Sequence, residues 1–267
     1  MDYLSSLENQ SIYIIREAYA HFRNNMALLW SIGKDSTTLL WLARKAFFGN
    51  IPFPVIHIDT TFKFEEIYDF RDMYRKKWGL NLIISKNRSA INNGMCHEKG
   101  RLECCNALKT EALKDTVKEY GLKALLLAIR RDEHGIRAKE RIFSPRDESF
   151  GWNYLDQPLE MWERYETKVE EGEHLRIHPL LGWREIDVWE YIKRERMPVA
   201  SLYFSKKGMR YRSIGCRPCC RSIESDADTI NKIIKELKIT RISERSGRAQ
   251  DKEDVYAMEK LRSLGYM

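Results

Sequence analysis

"LLWSIGKDSTTLLWLARKAF", residues 28–47, runs from an apolar stretch through a Gly-Lys turn into a segment with helical spacing. It departs from the Walker phosphate-binding pattern, because Gly33-Lys34 is followed by Asp35 rather than Ser or Thr and no glycine stands five residues before Gly33. The order of features still has a physical meaning. A strand that closes at Ser31, a turn over Ile32–Asp35 and a helix beginning at Ser36 aim the turn's N–H groups and the helix N-terminus at one point. Such a point suits an anion.

Outward from this turn, short apolar runs alternate with helical patterns, which is the arrangement of a parallel sheet with crossover helices. Strands are expected near Met26–Ser31, Val55–Asp59, Leu82–Ser85, Ala124–Ile129 and Leu175–His178, giving a doubly wound α/β fold with a mostly parallel five-stranded sheet. Helical spacing covers Thr37–Phe47, Phe64–Trp78, Ala107–Tyr120 and Glu185–Arg194. Asp147–Gly172, rich in Trp, Tyr, Pro and Glu, has no clear period and reads as a surface excursion. The expected organisation is an α/β domain over 1–205 that carries the anion-binding turn and an irregular C-terminal segment, 206–267, with one helix near Asp226–Leu237.

Composition bounds the function. At 267 residues, 43% hydrophobic and 32% charged, the chain can bury a sizeable core. Apolar runs such as Ala124–Ile129 are far shorter than the roughly 20 residues that cross a bilayer, and the N-terminus lacks a basic region followed by an apolar core. A cytoplasmic protein with no membrane partner is expected. The formal charge of +7 favours acidic partners such as nucleotide, sulfate or nucleic acid. Six cysteines in such a compartment point to reactive or metal-bound thiols rather than disulfides.

Ser-x-Gly-x-Asp-Ser after a strand resembles the loop of the pyrophosphate-loop (PP-loop) ATP pyrophosphatases, with Ile32 where the second residue is usually Gly. The likeness continues in order through "LARKAF", "PFPVIHIDT", "FRD", "RRDE", "RAKERIFSPRD", "PLLGWREIDVWEYI", "SERSGRAQD" and "AMEKLRSLGYM". Over nearly the full length the chain is similar to the family of the sulfate adenylyltransferase small subunit and the phosphoadenylyl-sulfate reductases. That resemblance implies an adenine nucleotide alpha hydrolase-like fold and cleavage of ATP between the α and β phosphates. It also implies that Ser31, Gly33, Lys34, Asp35 and Ser36 hold the β and γ phosphates, and that the strand end at His57, Asp59 and Thr60 lies by the adenosine.

Elementary chemistry agrees with that assignment. Ligands of open α/β sheets lie at the carboxyl ends of strands, where Ser31, Asp59 and Arg130 are expected. Attack on the α phosphorus builds charge on its oxygens and on the departing pyrophosphate. Lys34 is assigned to the pyrophosphate, Arg130, Arg131, Arg137 and Lys139 to a cationic wall, and Asp35 to Mg²⁺ or its bound water. His134, His174 and His178 lack ligand spacing and read as ordinary histidines.

Cys104-Cys105 and Cys216-Arg217-Pro218-Cys219 supply four candidate metal ligands, with Cys96 and Cys220 spare. Adjacent cysteines chelate one tetrahedral ion awkwardly, whereas a cubane offers each thiolate its own iron. The pattern resembles the [4Fe–4S] site of adenylyl-sulfate reductases, and a cluster is expected in preference to zinc. No cysteine follows Cys220, which disfavours the C-terminal thiol chemistry of those reductases.

Two acceptors remain. One is sulfate, with a separate GTPase subunit as partner. The other is an oxygen of the DNA backbone, activated for replacement by sulfur (phosphorothioation), with a cysteine desulfurase and further modification proteins as partners. The cysteines tilt the expectation to DNA, as does "SKKGM", which replaces a long insertion of the sulfate-activating subunits. Lys206, Lys207, Arg210, Arg212, Arg217 and Arg221, interleaved with Tyr203, Phe204 and Tyr211, are the residues expected to follow a phosphate backbone. A non-enzymatic nucleotide sensor is the third reading, and self-association is left open.

Overall fold

In the computed structural model, which describes residues 2–248, 261 and 264–266, six strands form one sheet in the order β3-β2-β1-β4-β6-β5. The strands are β1 (Met26–Leu29), β2 (Val55–Ile58), β3 (Leu82–Ser85), β4 (Ala124–Leu126), β5 (Phe143–Arg146) and β6 (His174–Ile177). All neighbours pair in parallel except β5, which runs antiparallel to β6 at the edge. The order reverses direction at β1, so the crevice between β1 and β4 is the topological switch where α/β sheets bind ligands.

Sequence periodicity omits β5. Its "FSPR" contains Pro145, which cannot donate a ladder hydrogen bond and is tolerated only where a strand has a free edge. The sheet therefore has six strands rather than five.

The helices are α1 (Tyr3–Phe22), α2 (Lys34–Ala46), α3 (Glu65–Lys77), α4 (Arg88–Asn92), α5 (Arg101–Cys105), α6 (Ala112–Glu119), α7 (Glu185–Glu195) and α8 (Ile230–Ile239). Helix α1 is a further addition to the expected set. Leu7, Ser11, Ile14, Ile15, Ala18 and Phe22 form its buried stripe, and the Asp2 carboxylate caps it by accepting from the Ser5 N–H at 2.7 Å. The helix expected over Ala107–Tyr120 is α6 preceded by a π turn at Asn106–Glu111, which follows α5 directly. Cys104 and Cys105 thus end α5 at a π bulge, an irregularity frequent at functional sites.

Both faces of the sheet are covered, as a parallel sheet requires. Along β1, Met26 and Leu28 join one core with α1, α2 and α7, while Ala27 and Leu29 join a second core with Leu113 and Val117 of α6. Ala227 and Ile233 also enter the first core, and α8 packs on α7. The C-terminal segment adds a small antiparallel pair, β7 (Met209–Arg210) with β8 (Ile223–Glu224).

No helix among the described residues is long and apolar enough to cross a membrane.

Candidate active site

The chain leaves β1 at Leu29, turns through Trp30–Gly33 and enters α2 at Lys34. Ile32 sits at φ 68°, in the left-handed region that a β-branched residue avoids, and its side chain is buried. This is why glycine is the usual residue at that place in the loop. Gly33 itself has φ −71°, so the turn does not need its freedom. A Cβ there would point at the hydroxyls of Ser31 and Tyr203, each at 3.5 Å, into the space the loop encloses. The Lys34 N–H donates to the Tyr203 hydroxyl at 2.8 Å, and the Ser31 and Ser36 hydroxyls pair at 3.0 Å.

Beside this loop, the turn after β4 brings in Arg130, which is fully buried. Arg130 pairs with Asp35, Asp132 and Glu244, and Lys34 pairs with Asp35 and Glu244. Arg137 and Arg245 both pair with Glu133. Burial alone would lower the Arg130 pKa, but the charge of Glu244 and Asp132 raises it above the ordinary value. Burial likewise raises the carboxyl of Glu244, and Arg130 and Lys34 reverse that and hold it ionised. A cleft opens here between the loop, the β4 end and the C-terminal segment. Ser31, Gly33, Lys34, Asp35, Ser36 and Arg137 line it together with Glu133, Tyr203, Glu244 and Arg245.

Other expected residues lie elsewhere. Arg131 and Lys139 are exposed and do not line the cleft, because the short 3₁₀ turn Arg131–Glu133 gives Glu133 to the cleft and the turn Arg137–Lys139 buries Arg137. His57 is buried with its Nδ1 2.9 Å from the Trp30 carbonyl, and burial followed by the charge of Lys63 lowers its pKa to about 4. Asp59 is committed to Tyr68, the Thr61 N–H and Lys86, each at 2.8 Å. The Thr60 hydroxyl lies 3.2 Å from the Cys216 sulfur. This strand end therefore leads toward the cysteines rather than lining the loop pocket. His178 is buried with its Nδ1 2.7 Å from the Arg141 carbonyl, a hydrogen-bonded histidine as expected. His174 is buried with neither ring nitrogen hydrogen-bonded among the described residues, unlike the surface or hydrogen-bonded role expected of it. Burial lowers His174 to about 2 and His178 well below its usual range.

The far end of the cleft is formed by Lys63, Lys109, Ser213, Ile214, Gly215, Arg248 and Tyr266. Here the two cysteine pairs come together from α5 and from the Cys216–Cys219 turn. Burial, then the charges of Cys105, Cys216 and Cys219, push the Cys104 thiol up to about 12. Cys216 behaves oppositely: burial would raise it, but Lys109, Lys63 and the Thr60 hydroxyl bring it down to about 7. Lys109 donates to the Cys105 sulfur at 3.3 Å and to the Tyr266 hydroxyl at 3.3 Å. Cys220, spare in the sequence reading, accepts from the Gly215 N–H at 3.0 Å and from Arg248 at 3.1 Å. Among the described residues, no three His, Cys, Asp or Glu side chains are grouped to hold a single metal ion.

The basic tract divides into two kinds. Arg210 is buried against Glu236, and Arg212 is buried against Glu185 and the Ile242 carbonyl. Tyr203 packs edge-on against Trp189, and Tyr211 does so against Phe64. These four are structural and do not present themselves to a phosphate backbone, whereas Lys206, Lys207, Arg217 and Arg221 are exposed.

Glu133, Tyr203, Glu244, Lys63, Lys109 and Arg248 escaped the site assignment from sequence. Glu244 and Arg248 stand inside "SERSGRAQD", which was singled out, but nothing in the sequence tells that its Glu returns to Lys34. The end of that motif, 249–251, and most of "AMEKLRSLGYM" lie outside the described residues.

Known proteins bear on this geometry. The family model of the phosphoadenosine phosphosulfate reductase domain matches residues 25–222. Sulfate adenylyltransferase subunit 2 of Psychromonas ingrahamii is 39% identical over 297 residues, covering 100% of this chain and 98% of the relative. The protein of the same name from Pseudomonas aeruginosa is 39% identical over 301 residues, with the same coverage. Among solved structures, the phosphoadenylyl-sulfate reductase of Candida auris in its phosphate complex has a TM-score of 0.56 at 19% identity, covering 82% of this chain and 97% of that one. The FMN adenylyltransferase of Candida glabrata, with FAD and inorganic pyrophosphate, has a TM-score of 0.58 at 17% identity, covering 82% of this chain and 66% of that one. The last two likenesses show the fold.

Proposed function

The chain belongs to the phosphoadenosine phosphosulfate reductase domain family and is a PP-loop enzyme of nucleotidyltransferase type, and from that premise we propose that it transfers the adenylyl group of ATP to sulfate. The observation that carries this reading is the meeting of Lys34 and Arg130 at the carboxyl ends of β1 and β4, beside the N-terminus of α2. Lys34 lines the cleft and Arg130, buried just behind it, shares Asp35 and Glu244 with it, so positive charge from two elements is concentrated beside the loop, as the charge of a triphosphate requires. Full-length likeness to sulfate adenylyltransferase subunit 2 supports sulfate as the acceptor.

In this reading an acceptor oxygen attacks the α phosphorus, the bond from that phosphorus to the bridging oxygen breaks, and pyrophosphate leaves. Lys34 neutralises the pyrophosphate, and Arg130 and Arg137 stabilise the charge on the α-phosphate oxygens. Mg²⁺ held through Asp35 would supply further neutralisation of the leaving group. The partner suggested by the subunit relatives is a GTPase large subunit.

A specific feature favours a second reading, activation of a DNA-backbone oxygen for sulfur incorporation. The thiols of Cys104, Cys105, Cys216 and Cys219, drawn from two elements, feel one another's charge, and Lys63 and Lys109 beside them have no carboxylate partner among the described residues. Deprotonated thiolates would balance that charge, and a [4Fe–4S] cluster, which is held by four cysteine thiolates on separate irons, suits the set better than a single zinc ion. Sulfate activation as such has no use for the group, which would supply an electrostatic or redox centre next to the acceptor. One experiment separates the readings. Anaerobically purified protein is given labelled ATP with sulfate and a GTPase subunit, or with DNA and a cysteine desulfurase. Pyrophosphate release and adenylyl sulfate with the first mixture alone support the main reading, and release with the second mixture alone overturns it.

A further inference from the structure

At the loop end of the cleft, every cation is already matched by a carboxylate of the protein itself. Asp35, Asp132 and Glu133 stand on α2 and the turn after β4, anchored to the sheet. Glu244 does not. It comes from the 3₁₀ turn Glu244–Gly247, 210 positions from Lys34, and yet it bonds both Lys34 and Arg130 from a buried position.

The same segment reaches the other end of the cleft. Arg248 forms an antiparallel bridge with Cys220, and the Arg221 N–H donates to the Gly247 carbonyl at 3.0 Å. The Arg248 guanidinium donates to the Cys220 sulfur at 3.1 Å, the Ser213 hydroxyl at 3.0 Å and the Ile214 carbonyl at 2.5 Å. Packing is tight, since a Cβ on Gly247 would lie 2.9 Å from the Arg221 carbonyl oxygen. A displacement of Glu244 therefore pulls on the turn that carries Cys216, Cys219 and Cys220.

We propose that Glu244 is an internal stand-in for phosphate and that Ser243–Arg248 is a latch, held down by Lys34 and Arg130 and displaced when a triphosphate or pyrophosphate takes those two cations. The inference rests on the reading that the loop binds these phosphates. Asp35 bonds the same two cations but is fixed on α2, whereas Glu244 stands on a short 3₁₀ turn, so when a polyanion occupies Lys34 and Arg130 the strong repulsion of like charges in a water-poor site displaces Glu244. Occupancy of the loop is thereby communicated to the cysteine end through one short stretch of backbone. Glu244 in this position, together with Asp35, also keeps Lys34 and Arg130 matched rather than leaving buried cations short of negative charge.

The test uses the full chain, with inorganic pyrophosphate and a non-hydrolysable ATP analogue as probes. Calorimetry gives the affinity, and hydrogen exchange with mass spectrometry follows peptides covering 216–221 and 243–248. In the wild-type protein, saturating pyrophosphate should raise exchange in both peptides. Glu244→Gln should bind pyrophosphate about tenfold or more tightly, since the competing closed state no longer reduces the apparent affinity. Its 243–248 peptide should exchange fast without ligand. Weaker binding by Glu244→Gln, or protection of 243–248 in the wild type on ligand binding, would mean that Glu244 holds the ligand and would overturn the latch. Tight binding with unchanged exchange in the wild type overturns the latch alone, whereas no binding of either probe overturns the phosphate assignment as well. The wild-type exchange measurement stands even where the variant does not fold.

Discussion

At the loop end of the cleft, Lys34, Arg130, Arg137 and Arg245 are interleaved with Asp35, Asp132, Glu133 and Glu244; at the cysteine end, Lys63, Lys109 and Arg248 face thiols, a phenol and backbone carbonyls instead. The difference teaches what each end awaits. Cations matched by carboxylates can exchange one anion for another, which suits a ligand that arrives and leaves. Cations that face weak acids among the described residues can draw a proton from the one they reach best: Cys216 is brought down to about 7 by Lys109 and Lys63 against the effect of burial, whereas burial leaves Cys104 at about 12 and Cys219 raised.

The largest effect should come from breaking the loop end. Lys34→Ala and Asp35→Ala should each lower pyrophosphate release at least about 100-fold, as the loss of one strong charge-stabilising group does. Lys34→Ala should also cost stability, about 3 kcal/mol, because it leaves Glu244 buried against fewer cations. Asp35→Ala should cost less, because Asp35 is partly exposed and Glu244 still pairs with both Lys34 and Arg130. Steady-state pyrophosphate release and denaturant unfolding check both. Near-normal turnover in both variants removes the loop from the chemistry.

The cysteine end breaks differently. Anaerobic protein should be brown with about four irons per chain, and Cys105→Ser and Cys219→Ser should each lose the iron and the visible absorbance. Colourless protein with stoichiometric zinc would show that the cations there balance a different thiolate site.

These two ends also differ in how much of them sequence discloses. The loop is local: strand, turn and helix start lie within residues 26–37, so the turn that carries Lys34 and Asp35 to a helix N-terminus is legible before any fold is known. The parallel strands follow from the alternating pattern, except that β5 is hidden by its proline and the order of the strands in the sheet is not written in it. By contrast, the partners of Lys34 and Arg130 come from the other end of the chain, and charge alone gives no sign of whether a residue like Glu244 faces water or the site. The "IRRDEHGIRAKER" run illustrates this. Its basic residues look alike in sequence, yet Arg130 and Arg137 are buried in the network while Arg131 and Lys139 face solvent.

A smaller effect should appear at the boundary between the ends, where His57 stands. Burial first, then Lys63, lowers its pKa to about 4 in the folded protein against 6.5 in the unfolded chain, so folding favours the neutral ring. The unfolded state binds more protons between these values. Stability is thus fully present above pH 6.5 and is lost as pH falls toward 4, by about 3 kcal/mol from this residue. His174, lowered to about 2, adds loss of the same sign that continues further into acid. Guanidinium unfolding from pH 7 to 4.5 should show the decline, and His57→Gln should make it shallower. Lys63→Met should lift the His57 pKa, as read by the ring's proton chemical shifts; an unmoved pKa would show that the Lys63 charge is not felt there.

The smallest expected effect concerns the surface outside the cysteine end and sharpens the choice of acceptor. If DNA is held there, only the exposed cations Lys206, Lys207, Arg217 and Arg221 can release counterions, so neutralising any one should reduce the slope of log affinity against log salt by about 0.9 on duplex DNA. Arg210 and Arg212 must behave otherwise. Both are buried against Glu236 and Glu185, so Arg210→Gln and Arg212→Gln should lower stability and leave the slope of the folded fraction unchanged. A sulfate-binding enzyme shows neither pattern, because a small dianion in a pocket loses affinity to competing anions without a slope that tracks separate surface side chains. A slope that fell with Arg210 and Arg212 but not with the exposed four would place the nucleic acid inside the fold, against the burial of those pairs. Absence of DNA affinity at low salt, together with adenylyl sulfate formed beside a GTPase subunit, would leave the exposed cations as ordinary solvated charge and assign the chemistry of the cleft to sulfate alone.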